Sequence, residues 1–241
     1  MYAKYFKRLI DFCFSLFGLI LLSPLMVVLT VTGAIVMKGN PFFVQKRPGM
    51  IDKKTGKERI ISLIKFRTMT NEKDSQGNLL PDEKRLVAYG KFLRSTSLDE
   101  LLSLINIVTG AVSLVGPRPQ LVRDMTFMTK EQRRRHDVRP GLTGLAQVNG
   151  RNNITWERKF EYDLQYIDSG ITFIGDLKII LQTVGKVLKR SDTVCEGTGS
   201  NMDFGDWLMQ EGKVTKEEYE EKQTEAKVLL GIVPSKETVS V

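Results

Sequence analysis

The sequence predicts an α+β fold: a long apolar N-terminal helix broken near its middle, a short β-hairpin, and several amphipathic helices. Three observations predict it. No charged residue occurs between Phe12 and Met37. Two strand-like runs, "FFVQKRPG" and "RIISLIKFRTM", flank the polar turn "MIDKKTGKE", which is the pattern of a hairpin. Beyond them, apolar residues recur at helical spacing in stretches separated by loops rich in Gly and Pro. A chain of 241 residues holds one sizeable domain and an appendage.

The uncharged run is bounded by Asp11 and Lys38 and covers 26 positions. As a straight helix it would extend about 39 Å, enough to cross a bilayer. It is too long for a cleavable signal, and no A-x-A site closes it before Lys38. Lys4, Lys7 and Arg8 precede it and Lys38, Lys46 and Arg47 follow it, so the positive-inside rule assigns both flanks to the cytoplasmic side. Ser23 and Pro24 sit near its centre. Pro24 has no amide to give the Ile20 carbonyl, and the Ser23 hydroxyl can satisfy a freed group. Each arm is then about 18 Å long, too short to cross alone. A helix-break-helix that enters and leaves by one face fits these facts, and a kinked single-pass helix is the alternative.

After the hairpin, "KDSQGNLLPDE" reads as a loop. Leu86, Val87, Tyr89, Phe92 and Leu93 have helical spacing within Lys84–Leu93, and Leu98, Leu101, Leu102 and Ile105 share one face of the next helix. "SLVGPRP" ends that segment. "RPGLTGLAQVNGR" is a loop punctuated by glycines with a short strand, and Trp156–Ile167 is helical. Within Asp176–Leu188, Leu177, Ile180, Leu181, Val184, Val187 and Leu188 form a stripe with lysines on the polar side, suited to packing or to a membrane surface. Thr215 and Glu218 form a capping box in the tail. The chain thus divides into a membrane helix (1–40), a folded body (41–195) and an acidic extension (196–241).

Charge is unevenly spread. Residues 191–241 hold 11 acids against five lysines, a net of −6, so the first 190 residues carry +14 of an overall +8. A basic body needs an anionic partner: nucleic acid, anionic lipid or a phosphorylated substrate. Cys13 and Cys195 are two isolated cysteines and His136 is the sole histidine, so neither a disulfide framework nor a zinc site is expected. A metal would be a hard cation held by oxygens.

P-loop, dinucleotide-binding and nucleophile-elbow motifs are absent. What remains is the pair Asp99–Glu100 at the mouth of an apolar run, in "TSLDELLSLINIV". One reading is structural: Ser97 and Glu100 form a capping box. The other is chemical. In a first helical turn the orphan amides and macrodipole would keep Asp99 ionised, and a carboxylate can attack phosphorus to give an acyl phosphate. Lys65 and Arg67 in "KFRTM", Arg94, Arg118 in "PRP", Arg139 in "RPGLTG" and Arg151 supply six cations on constrained backbone, together resembling a pyrophosphate cradle. Mg²⁺ bridging the acids and the phosphate oxygens would reduce the repulsion between nucleophile and diphosphate. The run "RRRH" at 133–136 reads as a solvated helix face or a contact with lipid headgroups.

In their order, "KRLIDF", the apolar segment broken at Ser-Pro, "KFRTM", "SLDEL", "LVGPRP", "RPGLTGLAQVNGR" and "DLKII" resemble the bacterial sugar transferases. These are monotopic polyprenyl-phosphate phosphoglycosyl transferases. The likeness covers about residues 1–195 and is to the small members. It implies transfer of a sugar phosphate from a UDP-sugar, an N-acetylated amino sugar in the small members, to undecaprenyl phosphate, with release of UMP. It implies Mg²⁺, a covalent intermediate on Asp99 with Glu100 as its partner, and active-site positions at Lys65, Arg67, Arg94, Arg118 and Arg139. It also implies a re-entrant helix broken at Ser23–Pro24, on the cytoplasmic face of the bacterial inner membrane, and a role in capsule, exopolysaccharide, O-antigen or glycoprotein assembly. Nucleic acid is not an expected partner. The competing class is an inactive membrane-tethered adaptor whose basic body holds anionic lipid or nucleic acid.

Overall fold

The computed structural model describes residues 1–150, 154–189 and 202–233; the readings placed on Arg151 and Cys195 lie outside them. A π-helical turn at Tyr2–Phe6 leads into α1 (Lys7–Val36). Helix α1 runs through Pro24 with no non-helical residue, so the expected break does not interrupt it. The local chemistry is the one expected: Ser23 Oγ donates to the Ile20 carbonyl at 2.8 Å. That bond satisfies the one acceptor that proline leaves without an amide.

Strands β1 (Phe42–Ile51) and β2 (Glu58–Phe66) form the antiparallel hairpin, with Phe42 opposite Phe66 and Arg47 opposite Ile61. The helical stretches follow as α2 (Asp82–Arg85), α3 (Ala88–Thr96), a 3₁₀ turn at Leu98–Glu100 and α4 (Ser103–Val108). A second, two-stranded sheet pairs β3 (Ser113–Val115) in parallel with β4 (Gly141–Thr143). Between these strands lie α5 (Val122–Met125), α6 (Lys130–Arg133) and a 3₁₀ turn at Arg134–His136. Then come α7 (Leu145–Val148), α8 (Trp156–Asp168) and α9 (Phe173–Lys189). Of the extension, α10 (Phe204–Gln210) and α11 (Lys216–Leu229) are described, and the Thr215 hydroxyl caps α11 through the Glu218 amide.

The β3–β4 junction depends on glycine for close approach. A Cβ on Gly141 would lie 2.1 Å from the Gly116 amide nitrogen, and one on Gly116 would lie 2.5 Å from the Arg139 carbonyl. Two backbones meet where no side chain fits.

Both arms of α1 rest on the same body. At its start, Arg8 donates to the Ile107 and Val108 carbonyls at the end of α4, and the buried Asp11 accepts from Ser113 Oγ at 2.6 Å and the Leu114 amide at 3.2 Å. Toward its end, Leu29 packs with Phe66, Leu93 and Leu102, and Tyr89 donates to the Leu29 carbonyl at 2.8 Å. The rest of the helix surface, including Phe14, Phe17, Ile20, Val27, Val31 and Ile35, is exposed and apolar. Tyr2–Val36 is long and apolar enough to cross a membrane, so α1 is suited to embedding in one.

Helix α9 joins this face at its N-terminus. Asp176 takes Lys7 at 2.5 Å, Tyr2 at 2.9 Å and Tyr166 at 2.8 Å, tying α1, α8 and α9 together. The stripe read from the sequence divides. Ile179 is buried and Ile180 packs beside it against Val115, Val148 and Tyr166, while Leu177, Leu181 and Val184 point outward.

Candidate active site

A cavity of about 760 Å³ opens between the hairpin end, the Leu98–Glu100 turn, the loop after β3 and helix α8. Its walls carry Lys65, Arg67, Arg94, Asp99, Glu100 and Arg118, all named from the sequence. Strand alternation turns Lys65 toward the cavity while its neighbour Phe66, 2% exposed, enters the core. Asp99 and Glu100 follow Ser97, which ends α3 in the left-handed region at φ +57°.

That conformation changes the reading of Ser97. Its side chain makes no cap, and the turn carrying the two acids is 3₁₀ rather than the start of α4. The Glu100 carboxylate does not reach back to the Ser97 amide. It accepts from Lys65 Nζ and Arg118 Nη2, both on Oε1 at 2.7 Å. A capping box and this triad compete for one carboxylate, and two charge-assisted bonds outweigh one amide contact.

The two acids are pushed apart in acidity. Burial favours the neutral form of Glu100, but Arg118 and Lys65 together outweigh it and hold this carboxyl well below the usual range. Asp99 is pushed up to about 6, first by burial and then by the Glu100 charge, against the pull of Lys65, Arg118 and Arg94. The ionising influence expected of a helix start is therefore overruled by desolvation and a like charge. At neutral pH Asp99 is still mostly a carboxylate, with a higher basicity than an ordinary aspartate. Paired carboxyl groups of divergent acidity inside a cavity make this a candidate site for chemistry.

The "RRRH" run has a role that its composition concealed. Arg135 is 1% exposed, pairs with the buried Asp163 on α8 at 2.5 Å, and donates to the Arg118 carbonyl at 2.6 Å. His136 is buried too, against Glu58 at 3.2 Å. Only Arg133 and Arg134 keep the solvated character expected of the whole run. Arg135 thus fixes the backbone that presents Arg118. A lone arginine in a basic run gives no sequence signal of this, because its acid partner lies 28 residues away.

Arg139 is not brought to the cavity. Its Nε donates to the Gly110 carbonyl at 3.0 Å, beside Arg8 at the end of α4, on a smaller separate hollow. Arg151 lies outside the described residues. Conversely, the walls include Arg47, Arg85, Arg123, Lys159 and Asp163, which the sequence did not single out. Burial and the neighbouring Arg118 lower the Arg47 guanidinium to about 10, so it stays charged at neutral pH.

Among the described residues no three His, Cys, Asp or Glu side chains cluster as a protein-only metal cage. A hard cation of the Mg²⁺ type does not need one. It takes one or two carboxylates and completes its shell with substrate phosphate and water. The adjacent Asp99 and Glu100 fit that donor set, and Lys65 and Arg118 leave Glu100 Oε2 to it.

Residues 2–190 match the family described as bacterial sugar transferase. The sugar transferase EpsL of Bacillus subtilis is 48% identical over 183 residues, covering 76% of this chain and 87% of its own. A UDP-glucose:undecaprenyl-phosphate glucose-1-phosphate transferase of Klebsiella pneumoniae is 41% identical over 191 residues, covering 75% of this chain and 40% of its own. A UDP-galactose-lipid carrier transferase of Erwinia amylovora is 31% identical over 207 residues, covering 78% and 41%. The chain thus spans most of the first relative and about two fifths of the other two. A family match over residues 2–190 that contains the dyad, its cations and the apolar helix leaves one assignment: the chain belongs to the bacterial sugar transferase family.

Proposed function

We propose that this protein is a phosphoglycosyl transferase that moves a sugar 1-phosphate from a UDP-sugar to undecaprenyl phosphate and releases UMP. The observation that carries the reading is the Asp99–Glu100 pair of divergent acidity inside a cavity walled by Lys65, Arg67, Arg94 and Arg118. Related chains named for this chemistry support it, and with them the inactive-adaptor reading loses its ground.

In the first step an Asp99 carboxylate oxygen attacks the sugar-bearing phosphorus. The bond from that phosphorus to the bridging oxygen breaks, and UMP leaves with the electron pair. In the second step a phosphate oxygen of undecaprenyl phosphate attacks the same phosphorus. The mixed anhydride breaks, giving the lipid diphosphate sugar and free Asp99. The raised basicity of Asp99 makes it a better nucleophile than an ordinary aspartate. Lys65 and Arg118, anchored on Glu100, hold positive charge where phosphate oxygens gain negative charge. Asp99 and Glu100 would hold Mg²⁺, which supplies neutralisation of the diphosphate when bound.

The transferred sugar is proposed to be an N-acetylated amino sugar, as the resemblance to small family members implies; relatives named for a sugar take glucose or galactose. The protein is proposed to act at the cytoplasmic face of the inner membrane, in capsule, exopolysaccharide or related glycan assembly, with downstream glycosyltransferases as candidate partners. Helix α1 is proposed to enter and leave by that face, because Arg8 and Asp11 on one arm and Leu29 on the other seat on one body. Cysteines placed singly at residue 2 and after Lys46, in a variant lacking Cys13 and Cys195, should both label from the cytoplasmic side; labelling from opposite sides makes α1 a span.

The test of the activity is Mg²⁺-dependent UMP release from a panel of UDP-sugars mixed with undecaprenyl phosphate. Release by the wild type and a phosphosugar adduct on Asp99 by mass spectrometry are expected. No release with any donor overturns the reading.

A further inference from the structure

The family match ends at residue 190, yet the cavity does not end with the family core. Met202 and Asp203 line it together with Trp156 and Lys159. The segment is held there by bonds to the core. Trp156 Nε1 donates to the Met202 carbonyl at 3.3 Å, and the Phe204 amide donates to the buried Asp124 at 2.9 Å. Phe204 is itself buried among Met128, Trp156 and Phe160, and Ala226 of α11 closes against Val122 and Met125 of α5.

Asp203 occupies the N-cap position of α10, where aspartate normally accepts an amide of its own helix. Here its side chain makes no such bond. It pairs through Oδ2 with Arg123 instead, and the residue lines the cavity. Met202 beside it is 48% exposed. An ionised carboxylate paired with an arginine at the edge of the wall repels phosphate oxygens. It binds a neutral group bearing O–H or N–H donors.

We infer that Met202 and Asp203 form the sugar subsite, with Asp203 Oδ1 accepting a hydroxyl or amide N–H of the donor's sugar and Met202 packing on its apolar substituent. This rests on the function proposed above. The sugar is assigned rather than the uridine because relatives named for UDP-glucose and UDP-galactose share the nucleotide and differ in the sugar. A common moiety is served by the shared residues 2–190. A wall built from outside them suits the moiety that varies.

The experiment measures kcat and KM for UMP release by full-length wild type, Asp203→Asn, Asp203→Glu and Met202→Ala, with inhibition by UMP as a second readout. For the preferred donor, Asp203→Asn should raise KM at least tenfold with kcat within about threefold, and Asp203→Glu should recover part of the loss. Met202→Ala leaves the Arg123 pair intact and should change the ranking of UDP-sugars. The UMP inhibition constant should stay within twofold of wild type in all three. Unchanged KM and ranking in folded variants overturns the inference. A parallel rise in the UMP constant also overturns it, since the segment would then read the nucleotide. An inactive wild type refutes the transferase reading instead, and UDP-sugar against UMP binding by calorimetry then decides the subsite on the same variants.

Discussion

Replacing Asp99 with Asn should stabilise the fold while ending the chemistry. In the folded protein this carboxyl is pushed from 3.8 up to about 6, by burial and by Glu100. A group whose folded pKa is raised binds its proton more tightly when folded. The wild type therefore loses stability as pH rises from the unfolded value through the folded one. Two units correspond to about 3 kcal/mol at neutral pH. An amide is still a partly buried polar group and Glu100 shares the coupling, so about 1–2 kcal/mol should be realised, or about 3–6 °C in Tm for a chain of this length. The assay is thermal unfolding in detergent at pH 8 and pH 4.5, beside UMP release. Asp99→Asn should melt higher than wild type at pH 8, show little difference at pH 4.5, and release less than about 1% of the wild-type UMP. An equal or lower Tm at pH 8, or an identical gap at both pH values, refutes the assignment of Asp99 as a destabilised carboxylate.

The wild-type kcat/KM should fall below about pH 6 as Asp99 protonates, and Glu100→Gln should move that acid limb to lower pH, because it removes one charge that raises Asp99 and releases Lys65 and Arg118 to it; an unmoved limb contradicts the coupling. Glu100→Ala should also cut turnover strongly, but less than Asp99→Asn does, as initial rates of UMP release would show. Arg135→Ala leaves Asp163 buried without its partner and the Arg118 carbonyl without its donor, so unfolding should be easier by about 3–5 kcal/mol and wild-type melting would sink the role. Gly90→Ala would set a Cβ 1.9 Å from the Thr68 carbonyl oxygen; displacing α3 from the segment after β2 should lower Tm by several degrees and raise KM through Arg94, which bonds Thr68.

Much of this arrangement was legible in the sequence because it is local. A period of two reveals the hairpin, a period near four reveals the helices, and adjacency alone displays Asp99 beside Glu100. Ser23 and Ile20 lie within one helical turn, so their bond could be anticipated. The Thr215 half of the box expected in the tail formed for the same reason, its hydroxyl accepting from the Glu218 amide, while the box at Ser97 did not, because Lys65 and Arg118 offered Glu100 stronger partners from 35 and 18 residues away.

By itself the sequence determined the element order, the apolar anchor, the basic body and the acidic pair at the mouth of its helical segment. Tertiary structure alone decided which cations surround that pair. It gathered Arg47 and Arg123 and sent Arg139 to the end of α4. It buried Arg135 against Asp163, and it brought Met202 and Asp203 from beyond the family core to the cavity wall. The reason is physical: charge and periodicity are properties of neighbouring residues, whereas desolvation and Coulomb interaction depend on distances that only the packed chain defines.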